Sequence, residues 1–109
     1  MNVETRNRDG VRIVDVSGDV DLKWSPVLRK ELFAAFKDAP KVALNLAAIR
    51  YIDSSGIGVL IISTQNLQKC GGSLALVNAS EDVRKVFMLT GLENFFVFFK
   101  NEKDALAAF

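Results

Sequence analysis

Tyr51-Ile52-Asp53-Ser54-Ser55-Gly56-Ile57-Gly58 joins two different periodicities. Before it, Lys41 to Leu46 is a short apolar run that reads as a strand, with Ala47 to Arg50 a connection toward Tyr51-Ile52. After it, Ile57, Leu60, Ile61, Thr64 and Leu67 recur at core-facing helical spacing, which predicts a helix from near Ser54 to Lys69. Cys70-Gly71-Gly72 stops that helix. A strand running directly into a helix is the βα unit, and the edge where the two meet is where α/β proteins place their sites.

The same alternation extends in both directions. Toward the amino terminus, Val3 to Arg8 and Val11 to Ser17 flank Asp9-Gly10, a dipeptide suited to a type I′ hairpin because glycine tolerates positive φ. Gly18-Asp19-Val20-Asp21 follows. Ser25-Pro26 then signals a helix start, with the serine expected to cap and the proline needing no amide bond in the first turn. Leu28, Leu32, Ala35 and Phe36 share one face of that helix, and Lys37-Asp38-Ala39-Pro40 ends it. Toward the carboxyl terminus, Ser73 to Val77 reads as a strand. Ser80 is expected to cap a helix that carries Glu81 and Asp82 in its first turn, turns Val83, Val86 and Phe87 inward and closes at Gly91. Phe95 to Phe99 is expected to be a strand buried on both faces, and Asn101-Glu102 opens a last helix. The predicted order is ββαβαβαβα, a single α/β domain over residues 1–109. It has a mixed, mostly parallel sheet covered by amphipathic helices.

Composition excludes several chemistries. The chain has 109 residues, half of them hydrophobic and a quarter charged, a globular balance large enough for a real core. A formal charge of +1 lacks the dense basic surface that nucleic-acid binding needs. With no histidine there is no imidazole for a catalytic triad or a haem or zinc ligand, and one cysteine, Cys70, makes neither a disulfide nor a cysteine-built zinc site. The amino terminus does not read as a secretory signal, and the longest aliphatic run, Val59 to Ile62, is far shorter than a membrane span. The expectation is a cytoplasmic monomer with no cofactor or metal of its own.

Asp53, Ser54 and Ser55 are good helix caps, because their oxygens can accept the orphan amide protons of a first turn. Two adjacent hydroxyls there also offer a phosphoacceptor. A phosphate would lie at the positive end of the helix dipole and add roughly −1.5 to −2 charge, which repels a partner docked on that edge. Gly56 and Gly58 each weaken the helix by about 1 kcal/mol relative to alanine. They suit either close approach of a partner or tight packing of helix on sheet, and the two readings stand level.

Asp53-Ser54-Ser55-Gly56-Ile57-Gly58 resembles the signature of STAS domains, specifically the small free-standing anti-sigma-factor antagonists of bacteria. The resemblance extends over nearly the whole chain. It includes Gly18-Asp19-Val20-Asp21, the buried strand Val42-Ala43-Leu44-Asn45-Leu46, Gly71-Gly72 followed by Leu74 to Val77, and Thr90-Gly91-Leu92. It implies partner switching. The unphosphorylated antagonist binds an anti-sigma factor that is also a serine kinase, and the sigma factor is released. Phosphorylation of the motif serine ends the binding, and a phosphatase of the PP2C type restores it. ATP and magnesium belong to the kinase partner. Carried onto this chain, the acceptor is Ser54, with Ser55 the alternative, and the partner-binding set is Asp21, Asp53, Ser54, Ser55, Gly56, Ile57 and Gly58. Trp24, in the bulkier and more basic segment Leu22-Lys23-Trp24, is either an interface anchor or a cover for the end of the core.

Three other readings compete. A phosphoaspartate receiver is poorly matched by an opening hairpin, although Asp53 and Lys100 fit superficially. An enzyme lacks an activating base for Ser54, Ser55 or Cys70, and no phosphate loop ending in Gly-Lys-Ser/Thr is present. STAS domains also serve as subunits of lipid transporters and of stress-sensing assemblies.

Overall fold

The computed structural model describes residues 1–37 and 39–109. β1 (Asn2–Arg8) and β2 (Val11–Val20) form the opening hairpin, paired antiparallel with Arg8 opposite Val11. Asp9 and Gly10 both take positive φ, 52° and 79°, as a type I′ turn demands. Then follow α1 (Ser25–Phe36), β3 (Lys41–Ile52), α2 (Ser54–Lys69), β4 (Ser73–Val77), α3 (Glu81–Leu89), β5 (Val97–Phe99) and α4 (Glu102–Ala108). The sheet order is β1-β2-β3-β4-β5, with β2 through β5 mutually parallel. The expected element order and mostly parallel mixed sheet are therefore what the chain forms. Asp38, part of the expected stop of α1, lies outside the described residues.

Alternation along the strands divides the core between the two faces of the sheet. Val14, Val16, Val42, Leu44, Leu46, Leu74 and Leu76 turn toward α1, α2 and α3 and meet Leu28, Leu32, Ile57, Leu60, Leu67, Val83 and Phe87. Val11, Ile13, Ala43, Ala75 and Val77 face α4 and pack on Ala105. The second layer is built largely from small side chains, so one seven-residue helix covers it. α4 is also tied down electrostatically. Glu102 receives both Arg6 and Arg8 from β1, and Arg6 also bonds Asp15 on β2, Nε to Oδ2, at 2.8 Å. Arg6 and then Arg8 hold the Glu102 carboxyl below its ordinary value of 4.5.

Three local expectations are corrected. First, Ala47 to Arg50 is not a connection. β3 runs unbroken to Ile52, because two register shifts against β2, between Asp15 and Ser17 and between Gly18 and Asp19, each insert one residue into β3. Asn45 stabilises the first shift. Its amide nitrogen donates to Asp15 at 2.8 Å, and its oxygen accepts from the Ala47 amide at 3.1 Å and from Asn78 at 2.9 Å. Second, Ser25 does not cap α1. The cap position is Trp24, with no side-chain bond, while the Ser25 hydroxyl turns back to the Leu22 carbonyl at 3.3 Å. Third, the aromatic strand is shorter and more exposed than expected. Glu93–Phe95 forms a 3-10 turn, β5 begins at Val97, and that valine is 55% exposed on an edge strand. The aromatic run organises around a helix residue instead: Phe96 and Phe98 each meet buried Phe87 edge-on at 5.2 Å.

Candidate functional site

After the second register shift, Val20 on β2 and Ile52 on β3 come level, so the two following loops leave the sheet side by side. The Asp53 amide donates to the Val20 carbonyl at 3.3 Å, which joins these loops. In the first loop, the Asp21 carbonyl accepts from the amides of Trp24 and Ser25 at 3.1 and 2.9 Å, and its carboxylate also accepts from the Trp24 amide at 3.1 Å. Asp21 thus closes the turn that launches α1 one residue before Ser25, and the Leu28 amide that a Ser25 cap would reach goes to the Trp24 carbonyl at 3.1 Å.

Asp53 does the corresponding work for α2. In extended conformation, φ −118°, its Oδ1 accepts from the backbone amides of Ser55 at 3.0 Å and Gly56 at 3.3 Å. The same oxygen also accepts the Ser55 hydroxyl at 2.5 Å. These bonds hold the Asp53 carboxyl below its ordinary 3.8. The Ser55 hydroxyl is the largest cause, the amides of Gly56, Ser55 and Leu22 add to it, and partial burial opposes them.

The paired serines are therefore not equivalent. Ser55 is half-buried with its hydroxyl engaged, whereas Ser54, the first residue of α2, is exposed and its hydroxyl has no hydrogen-bond partner among the described residues. The glycines divide as well. A Cβ on Gly56 would stand 2.8 Å from Val20 Cγ1, 2.9 Å from Ile52 Cγ1 and 3.0 Å from the Val20 carbonyl oxygen, while one on Gly58 would meet nothing within 4 Å. Gly56 is thus explained by helix-on-sheet packing and Gly58 is not. Ile57 is 1% exposed. Gly56 and Ile57 are accordingly removed from the partner-facing set, because they lie beneath the surface that carries Ser54.

Asp21, Asp53, Ser54, Ser55 and Gly58 remain together at the carboxyl edge of β2 and β3. Trp24 lies at the same edge, half-buried, with Lys23 Nζ 5.3 Å from its ring centroid. Sequence reasoning missed Leu22, which is 74% exposed between Asp21 and Trp24. Its only signal was a large aliphatic residue inside a polar loop. Among the described residues no group of three or more metal-ligating side chains gathers, and no helix is long and apolar enough to cross a membrane.

This sheet, with a serine-bearing helix start at its edge, defines a class. The family model described as the STAS domain matches residues 2–105, and the chain belongs to that family. An anti-sigma-B factor antagonist of Bacillus subtilis (strain 168) is 32% identical over 94 residues, 86% of each chain. An anti-sigma F factor antagonist of Paenibacillus polymyxa is 27% identical over 108 residues, covering 97% of this chain and 92% of the relative. The crystal structure of an anti-sigma factor antagonist from Mycobacterium paratuberculosis superimposes with a TM-score of 0.89 at 29% identity, over 98% of this chain and 92% of that one.

Proposed function

We propose that this chain is an anti-sigma factor antagonist that works by partner switching, with Ser54 as its phosphoacceptor. The observation that carries the reading is the asymmetry of the two serines: one hydroxyl free and exposed, the other spent on the helix cap. The names of the relatives support the class of partner, an anti-sigma factor. In this reading the partner is also a serine kinase, holds ATP and magnesium, and docks on Asp21, Asp53, Ser54, Ser55, Gly58 and Trp24. The Ser54 oxygen attacks the γ-phosphorus, the bond to the β-phosphate oxygen breaks, ADP leaves, and the hydroxyl proton passes to a base on the kinase. This chain contributes the acceptor and its placement, with no catalytic group of its own.

The phosphate sits at the positive end of the dipole of the sixteen-residue α2 and on an exposed residue, so the modified domain stays folded. Charge and bulk at the centre of the interface then weaken rebinding by about 3 kcal/mol, roughly a hundredfold. A phosphatase of the PP2C type resets the switch. The domain acts in the cytoplasm, as a monomer between partners.

Mass spectrometry after incubation with ATP and the serine kinases of the source organism tests this directly. Ser54→Ala should take up no phosphate, and Ser55→Ala should still be modified at residue 54. Ser54→Asp should keep the wild-type melting temperature and bind the kinase about a hundredfold more weakly. Phosphate on Ser54→Ala, or full affinity in Ser54→Asp, would overturn the reading.

A further inference from the structure

The corner between β2 and α1 breaks the rules that the other helix starts obey. α2, α3 and α4 are each capped by a side chain, Asp53, Ser80 and Asn101, and α3 and α4 carry acidic residues in the first turn. At α1 the cap position holds Trp24 with no side-chain bond, and the first turn has no acidic residue. Exposed Lys23 precedes it, a cation at the positive end of the helix dipole, and exposed Arg29 and Lys30 follow in the second turn. Among the described residues none of these three cations lies within 4.0 Å of a carboxylate, a state they share with the other lysines, but only these three stand together beside one helix start. Leu22 meanwhile stands 74% exposed at the tip of the corner. A helix start without its own cap, a cation at its positive end and an exposed aliphatic tip, met at one corner, are the mark of a surface shaped for something outside the fold.

Position says what that surface serves. Leu22 and Trp24 sit in the loop joined to Asp53 through the bond from the Asp53 amide to the Val20 carbonyl, so they flank Ser54. Arg29 and Lys30 extend the positive charge into the groove between α1 and α2, lined also by Ser25, Pro26, Phe33 and Val59, with the Arg29 guanidinium 5.3 Å from the Phe33 ring centroid. An exposed aliphatic tip, an aromatic side chain and exposed cations complement an apolar pocket rimmed by carboxylates. This surface lies beside Ser54, where the protein that modifies that serine must approach, which makes a protein its occupant.

We propose that Leu22, Lys23 and Trp24, backed by Arg29 and Lys30, form a docking ridge that selects the kinase, with Leu22 entering an apolar pocket of that kinase rimmed by acidic side chains. The ridge rests on the switching role assigned to Ser54 and adds what that role leaves open, namely how this antagonist tells one kinase from another. Charge on the ridge accelerates encounter, and the Leu22 and Trp24 contacts slow departure.

The test measures association and dissociation rates for the kinase that phosphorylates Ser54, using the wild type, Leu22→Ser, Lys23→Glu and Ser54→Asp. Leu22 and Lys23 are exposed, so both ridge variants should melt with the wild type. Leu22→Ser should bind at least thirtyfold more weakly, mainly through faster dissociation. Lys23→Glu should bind about fivefold more weakly, mainly through slower association, with a flatter dependence on salt. If Ser54→Asp loses affinity while Leu22→Ser and Lys23→Glu keep theirs, the ridge is refuted and the switch stands. If the ridge variants lose affinity and Ser54→Asp does not, the ridge stands and the switch falls. Sedimentation with phosphatidylglycerol vesicles supplies the other occupant: loss of vesicle binding in Leu22→Ser with kinase affinity intact also refutes the ridge.

Discussion

A methyl group on Gly56 has nowhere to go, since Val20 and Ile52 already fill the space, while a methyl on Gly58 enters an open one. Gly56→Ala should therefore destabilise the domain by about 1–3 kcal/mol through overpacking. Gly58→Ala should stabilise it by about 1 kcal/mol through helix propensity alone. Urea unfolding of the two variants checks the opposed signs, and equal effects would contradict the geometry. Asp53 makes a separate prediction. Its carboxyl titrates below the ordinary value, so the ionised form adds stability at neutral pH, and that contribution is lost as pH falls through the folded-state value. The stability gap between the wild type and Asp53→Asn should be about 1 kcal/mol above about pH 5 and should shrink and close as pH falls below the ordinary value and through the lower folded-state one, because asparagine still caps but carries no charge. A gap that does not change with pH would show that the charge contributes nothing.

Helices and strands with strong periodicity were legible in the sequence, and those defined by their neighbours were not. α2 follows its predicted bounds because Asp53 caps it and its apolar spacing is regular. α3 begins after Ser80, whose oxygen accepts the Val83 amide at 3.2 Å, and ends before Gly91 at φ 73°. The extent of β3 was hidden because the inserted residues put Ala47 and Ala48 outward in succession, which erases alternation. Ser25 misled because the turn closed by Asp21 starts α1 one residue earlier, so the Leu28 amide bonds the Trp24 carbonyl and not the Ser25 hydroxyl. At the site, the serine motif was readable, but which serine hydroxyl stays free depends on the rotamer that bonds Ser55 to Asp53. α4 carries its own prediction. Glu102→Ala leaves Arg6 and Arg8 without their shared partner and should lower stability by about 1 kcal/mol, a modest loss because both arginines remain near water. Faster amide exchange in α4 than in α2 would locate that loss.

The parallel order of β2 to β5 gathers the starts of α1, α2 and α3 at one edge of a molecule with extents of 31 × 25 × 24 Å. Everything proposed for binding lies on that edge, and the two core layers lie behind it. Modification at Ser54 should therefore leave the interior unmoved. In amide NMR spectra, shifts on phosphorylation should be confined to residues 20–25 and 53–59. Changes running through β4 and β5 would mean that the core repacks and that repulsion is not the whole mechanism.

Cys70, exposed and without a disulfide, ends α2, the helix that Ser54 begins. At 1.5 Å per residue the two lie about 24 Å apart. A single maleimide dye on this thiol would therefore ride on the same rigid rod as the switch while standing well clear of the bound kinase. Exchange of one partner for another could then be followed by energy transfer in real time, on a chain that needs no engineered cysteine.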